Sequence, residues 1–368
     1  MHFDQMTRAE ISKYYGDISS SKYEISSMRD VKKLQPAPPI ESILTLNKDV
    51  EPYIIQAAGG RLGWYRDKYK PLQFVHFSDI HARMELWNRM VEYVNCYSDD
   101  ISFALHTGDY CGAAHHVYRD FYTYGTACKR PVLNCVGNHD TYLDISRVAA
   151  TKAQIHEKLF PYTENWDATF MEGEASMSYY KDFPDSGIRL IVLDFYHDID
   201  QQCDWLKRLL ADAKEQQLSV ITAMHELTAE IIAPAPVNFH SILRETGTPE
   251  NAVEPMRESP FEWILADFVD DGGEHICNLA GHFHHDLFGY TKRGLLNIVV
   301  ECATDYAGHT DGRRPRGTRC YDCFNVISFD VNIGLLKIVR VGNPADMFLR
   351  SKKVLCYDYI NRKVISNF

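Results

Sequence analysis

Residues 131–140 read PVLNCVGNHD, a short apolar run closed by Gly137 and the polar trio Asn138, His139 and Asp140. A run of that length between a proline and a glycine predicts a buried strand that stops at a tight turn. The stretch before it, ISFALHTGD (101–109), follows the same plan and stops at Gly108 and Asp109. So does LQFVHFSD (72–79), which leads into Asp79-Ile80-His81. Between those two, ARMELWNRMVEYVNCY places Trp87, Met90, Val91 and Val94 on one face of a helix. Further helices are expected around 116–128 and over SRVAATKAQIHEKLF (146–160). Strand–helix–strand alternation of this kind predicts a mainly parallel sheet with covering helices.

Beyond residue 170 the rhythm changes. SMSYYKDF and IRLIVLDFY predict paired strands, and CDWLKRLLADAKEQ an amphipathic helix with Leu206, Leu209, Leu210 and Ala213 inward. SVITAMHE (219–226) and HICNLAGHFHH (275–285) read as strands that end in histidine. From 287 onward LLNIVVECA, CFNVISFD, LLKIVRVG, KVLCYDYI and KVISNF read as short strands separated by turns. The expected fold is α/β, with two stacked β-sheets flanked by helices over residues 71–368. Residues 1–70 are polar and stiffened by a PAPP stretch. They read as an N-terminal accessory arm laid over the domain or over a neighbouring copy of the chain.

Bulk properties narrow the partners. The 368 residues carry a formal charge of −11, which argues against a general binder of nucleic acid or anionic membranes. No run of apolar residues is long enough to span a bilayer. The N-terminal MHFDQMTRAEISKYYG lacks the basic and apolar regions of a secretory signal. Ten cysteines without an export signal predict reduced thiols and a cytoplasmic protein. Cys96, Cys135, Cys277, Cys302 and Cys356 lie in apolar runs and are expected to pack as small hydrophobes. Cys320 and Cys323 have C-x-x-C spacing but no second pair, so a zinc knuckle is not expected.

Five expected strand ends carry polar clusters: Asp79-Ile80-His81, Gly108-Asp109, Gly137-Asn138-His139-Asp140, His225, and Gly281-His282-Phe283-His284. Each alone reads as turn chemistry. In an α/β sheet, however, the loops beyond the carboxyl ends of the strands converge on one site. Carboxylate, amide oxygen and imidazole, with no thiolate, suit manganese, iron or zinc. The set exceeds what one tetrahedral ion can use, which predicts two ions about 3.5–4 Å apart. The i, i+2 spacing of His282 and His284 is expected to aim both from one side of a strand. His76 and His106 each stand three residues before an aspartate, so strand parity turns them into the core.

Taken in order, these clusters resemble the signature of the calcineurin-like metallophosphoesterases: D-x-H, G-D, G-N-H-D/E, a later histidine, then G-H-x-H. The resemblance covers roughly residues 72–310 and implies an α/β/β/α sandwich of two mixed sheets. It also implies a dinuclear hydrolase of small phosphomonoesters or phosphodiesters, using a hydroxide that bridges the ions. Asp79, His81 and His284 would hold the first metal, and Asp109 would bridge both. Asn138, His225 and His282 would complete the second. His139 would face the phosphate, with Asp140 orienting its ring. The two glycines, Gly108 and Gly137, would let the backbone turn tightly enough for Asp109 and Asn138 to reach one ion.

The departures are informative. GDYCGAA lacks the GDxxDRG extension of the protein phosphatases, and Gly112 stands where purple acid phosphatases place a metal-binding tyrosine, with Tyr110 adjacent to the aspartate instead. The pattern looks more like small bacterial phosphodiesterases. Candidate substrate contacts are His115 and His116 on the loop after Asp109, and His309 and Arg313 in ATDYAGHTDGRRPRGTR, where arginine suits phosphate. Two other readings stay open. A nuclease would need a basic track that the acidic charge opposes. A catalytically silent scaffold would be expected to lack ligands, and none is missing.

Overall fold

The computed structural model describes residues 69–110, 127–143, 148–160, 163, 166–234, 258–284, 286–303, 322–342 and 354–367. The first half supplies β1 (Leu72–Phe77), α1 (Met84–Cys96), β2 (Ala104–His106), β3 (Val132–Asn134) and α2 (Lys152–Leu159). Next come β4 (Thr169–Phe170), β5 (Tyr179–Phe183), β6 (Ile188–Val192), α3 (Ile199–Glu215), β7 (Ser219–Ala223) and β8 (Ile231–Pro234). Then follow α4 (Pro260–Asp270), β9 (His275–Ala280), β10 (Leu287–Thr291) and β11 (Leu296–Val299). The chain closes with β12 (Cys323–Asp330), β13 (Leu335–Gly342), β14 (Val354–Asp358) and β15 (Lys363–Asn367).

Two mixed sheets result. One has seven strands in the order β15-β14-β13-β12-β1-β2-β3, the other eight in the order β4-β5-β6-β7-β9-β11-β10-β8. In the first, β1, β2 and β3 run parallel and β12 joins β1 antiparallel. In the second, β6, β7, β9 and β11 run parallel. The carboxyl ends of β1, β2, β3, β7 and β9 thereby meet along one edge of the sandwich.

The main core fills the space between the sheets. Phe74 of β1 stacks on Phe103, which stacks in turn on Phe183 of β5 in the other sheet. The outer faces are covered by helices. Trp87 and Met90 of α1 are buried, with Trp87 against Phe77. Across the molecule Leu206, Leu209, Leu210 and Ala213 of α3 pack with Phe261, Leu265 and Phe268 of α4 over Ile191 and Val220. Full burial of each large apolar side chain is worth about 1.5–3 kcal/mol. The layers are helix, sheet, sheet, helix. Among the described residues no helix is long and apolar enough to cross a membrane.

Several local expectations are corrected. The helix expected over 146–160 begins only at Lys152, because Thr151 caps it. Its Oγ1 accepts from the Gln154 amide at 3.3 Å, and its own amide donates to Gln154 Oε1 at 2.9 Å. Upstream, Ala149 pairs with Tyr142 as an extended bridge. Helix α4 adds to the expected elements, and Ser259 and Pro260 mark its start, with Ser259 Oγ accepting from the Glu262 amide. Strands β8 and β10 likewise add to the expected set. Both carry short apolar runs interrupted by glycine or proline. Most of the helix expected at 116–128 lies outside the described residues.

Candidate metal centre

The loops after β1 and β2 are zipped together by their backbones. The amide of Asp79 donates to Gly108 O at 3.0 Å, that of His81 to Asp109 O at 3.1 Å, and that of Ala82 to Tyr110 O at 2.7 Å. The second sheet is tied to the first at the same place. The His282 amide donates to Asp79 Oδ2 at 3.0 Å across the two sheets, and within the second sheet the Gly281 amide donates to His225 O at 3.0 Å. Of eleven non-glycine residues with positive φ among the described residues, five are expected ligands: Asp79, His81, Asp109, His282 and His284. Left-handed backbone costs an L-residue on the order of 1 kcal/mol or more and persists where surrounding contacts dictate it, commonly at functional sites.

These contacts gather donors from distant loops. One atom each of Asp79, His81, Asp109 and His284 lies within 4.8 Å of the others. His81 Nε2 and His284 Nε2 are 3.2 Å apart, and they stand 3.8 and 3.2 Å from Asp79 Oδ1. Beside them, Asn138 Oδ1 lies 3.1 Å from His225 Nε2 and 3.0 Å from His282 Nδ1. Asp109 Oδ2 sits between the two groups, 3.5 Å from His225 Nε2 and 4.0 Å from His81 Nε2. The tautomer of His225 follows from its partner. Nδ1 is 2.6 Å from Thr107 O, which can only accept, so Nδ1 carries the hydrogen and Nε2 faces the donors.

A cation suits this arrangement. Asp79 Oδ1 is buried without a hydrogen-bond partner, in the middle of imidazole nitrogens. Burial opposes charge on Asp79 and Asp109, yet the surrounding imidazoles hold both below the usual carboxylate range. Burial is the largest influence on His225 and opposes its charge, but Asp109, Asp79 and Glu226 together outweigh it and raise the imidazole to about 10. Two buried carboxylates thus demand positive charge, which a proton or a metal ion supplies. Oxygen and imidazole donors in these two groups fit two divalent ions of the manganese, iron or zinc kind.

The histidines of GHFH do not extend a strand, as the spacing had predicted. Strand β9 ends at Ala280, and His282 and His284 lie on a bend with φ of 68° and 59°. They reach different donor groups rather than one side of a strand. Glycine also acts differently at the two opening turns. Gly108 has φ of +100°, which favours glycine, and a side chain there would meet His225 Nδ1. Gly137 has an ordinary φ of −100°, and glycine is required for space, since a Cβ would overlap the amide and carboxylate of Asp109. GNHD itself forms a single 3-10 turn, Asn138–Thr141.

Asp140 takes backbone amides on both carboxylate oxygens. Its Oδ2 accepts the amides of Asp109 and Gly137, both at 2.9 Å, and Oδ1 accepts that of Tyr110 at 3.0 Å. Buried at 1% exposure, it clamps the loops after β2 and β3 together. The His139 amide donates to Asp109 Oδ1 at 2.8 Å, and its Nε2 lies 3.9 Å from Asp109 Oδ2. Tyr110 is turned from the donors, its ring 3.8 Å from that of His106 and its hydroxyl bonded to Asn134. His76 and His106 are fully buried, as parity required. His115, His116, His309 and Arg313 lie outside the described residues.

Two neighbours gave no sequence signal. Cys302, after β11, is a buried thiol that groups with His81 and His284 and donates to Asp79 O at 3.1 Å. Glu226 places Oε2 3.5 Å from His282 Nε2. The loop that carries Cys302 is fastened by Asp286, which pairs with the buried Arg340 and accepts the Glu301 amide at 3.1 Å.

Comparison with known proteins fits this geometry. The calcineurin-like phosphoesterase profile matches residues 72–286, more than half of the chain. No curated protein sequence matches it. Among solved structures, the chain is similar to a dimetal phosphatase from Danio rerio, at 12% identity over 74% of this chain and 96% of that one, with a TM-score of 0.46. It is also similar to a purple acid phosphatase from yellow lupin (Lupinus luteus) seeds, at 13% identity over 82% of this chain and 54% of that one, with a TM-score of 0.47. A 5'-nucleotidase from Candida albicans aligns at 12% identity over 78% and 52%, with a TM-score of 0.39. With every element of the motif on one edge of the sandwich and the profile spanning it, the chain belongs to the calcineurin-like phosphoesterase family, with the donor set of a two-metal phosphohydrolase.

Proposed function

We propose that the protein hydrolyses small phosphomonoesters or phosphodiesters. In this reading Asp79, His81 and His284 hold one ion, Asn138, His225 and His282 a second, and Asp109 both. The observation that carries it is Asp109 Oδ2, within 4.0 Å of His81 Nε2 and 3.5 Å of His225 Nε2 at once. Two bound ions would neutralise phosphate oxygens and bring the pKa of a water near neutrality.

The chain's own residues divide the remaining work. His139 and His282 have the more open side chains, 30% and 34% exposed, so an ester approaches from their side. His139, anchored through its amide to Asp109, stabilises the transferring oxygens or gives a proton to the departing one. Asp140 holds the Asp109 and Asn138 loops in register through three backbone amides. The charge of −11 supports a small substrate over a nucleic-acid strand, and the ten cysteines support a cytoplasmic setting. Residues 71–368 form the catalytic domain in this reading. Residues 1–70 are an accessory arm in this reading, laid over the domain or over a neighbouring copy of the chain.

Protein loaded with Mn²⁺ should hydrolyse p-nitrophenyl phosphate or its bis ester. Asp109→Asn and His139→Ala should both abolish turnover, but elemental analysis should find less metal in the first and the full complement in the second. No hydrolysis of either ester by protein that carries two ions would refute the proposal. Full metal in Asp109→Asn would refute the shared ligand.

A further inference from the structure

Glu226 links one expected ligand to a loop outside the motif. It directly follows His225, and its Oε2 lies 3.5 Å from His282 Nε2. Its Oε1 accepts the hydroxyl of Tyr196 at 3.0 Å. Tyr196 is itself built in, since its amide donates to Asp194 Oδ1 at 2.9 Å. Asp194 in turn is held from Ser178 and Gln202, which reach its amide at 3.1 and 2.9 Å. The backbone of Glu226 is fixed too, because its carbonyl accepts Asn278 Nδ2 of β9 at 3.3 Å. Burial first, and then the Glu226 carboxylate, push the Tyr196 phenol well above its usual value, so it remains a donor at working pH.

The two nitrogens of His282 therefore face different partners. Nδ1 is 3.0 Å from Asn138 Oδ1 on the donor side, and Nε2 faces Glu226. An imidazole that offers the Nδ1 lone pair to a cation carries its hydrogen on Nε2. A carboxylate opposite that hydrogen fixes the tautomer, holds the ring and strengthens the other nitrogen as a ligand. We infer that Glu226, steadied by Tyr196, is a positioning residue that sets His282 to bind the second ion through Nδ1. This inference rests on the two-ion reading above. With its side chain only 13% exposed, the Glu226 charge is partly shielded from solvent.

The test is calorimetric titration of the full chain with Mn²⁺, comparing the wild type with Glu226→Gln and Tyr196→Phe. A glutamine is uncharged, so even with its oxygen on His282 and its NH₂ turned to the Tyr196 hydroxyl it strengthens Nδ1 less than the carboxylate does. In Glu226→Gln the dissociation constant of the ion held by His282 should rise about 10–100-fold, while that of the other ion holds. The visible absorption of the Co²⁺-loaded protein should change only for the equivalent whose affinity falls. Tyr196→Phe keeps the charge but frees it to rotate, so it should weaken the same ion by less. Unchanged affinity for both ions in Glu226→Gln would overturn the inference, as would equal weakening of both, which marks a general structural role. A wild type that takes a single ion would overturn the two-ion reading first, and this inference with it. Should Glu226→Gln fail to fold, Tyr196→Phe decides alone, and equal affinities to wild type would then sink the idea.

Discussion

Replacing Asp140 with asparagine separates two jobs that its sequence position allows. The carboxylate takes three backbone amides, two on Oδ2 and one on Oδ1, at 2.9–3.0 Å in a site with 1% exposure. Asparagine is the same size but has one acceptor. Its best rotamer keeps the oxygen toward the Asp109 and Gly137 amides and turns its NH₂ against the Tyr110 amide. That leaves a buried N–H without an acceptor, at about 1–3 kcal/mol, and weakens two charge-assisted bonds to neutral ones. The total comes to roughly 3 kcal/mol of stability. Urea unfolding in the presence of a chelator should show this as a lower midpoint at unchanged slope. Metal content should fall as well, because the clamp holds Asp109 in place. His139→Ala should leave the urea midpoint close to wild type. If Asp140→Asn unfolds at the wild-type midpoint and loses only turnover, the clamp is refuted and the carboxylate acts on the His139 ring.

Acid should loosen the core through His76. Burial foremost, with Arg340 adding and Asp79 opposing, lowers this imidazole to about 3. Between about pH 6.5 and 3 the unfolded chain takes up a proton that the folded one refuses, so His76 contributes stability fully above about 6.5 and loses it as pH falls, by up to about 1.4 kcal/mol per pH unit. Urea midpoints at about pH 7.5, 6 and 5 should fall less steeply in His76→Gln than in the wild type, and parallel slopes would disprove the assignment. Gly137→Ala tests the close approach at the second turn. Its φ of −100° is open to any residue, but the added methyl would overlap the Asp109 amide and carboxylate. Loss of bound metal is expected, and a variant with wild-type metal and turnover would show that the loop gives way freely.

The strand ends were legible because the signals that make them are local. An apolar run followed by Gly108-Asp109 or by Gly137-Asn138-His139-Asp140 marks both the strand and its stop. The heptad-like spacing of Leu206, Leu209, Leu210 and Ala213 fixes the buried face of α3 in the same way. Thus the chain's own order of residues determined the two-sheet class, the ligand types and their place on loops. It did not determine how those loops close. The left-handed turns at Asp79, His81, Asp109 and His282 are held by carbonyls and carboxylates of other loops, which no neighbouring residue specifies. The clamp formed by Asp140, the thiol of Cys302 beside His81 and His284, and the approach of Glu226 to His282 all join segments far apart in the chain. Only packing the two sheets together brings them within reach, because hydrogen bonds and charge act over a few ångströms while sequence pattern records only which face of an element is buried.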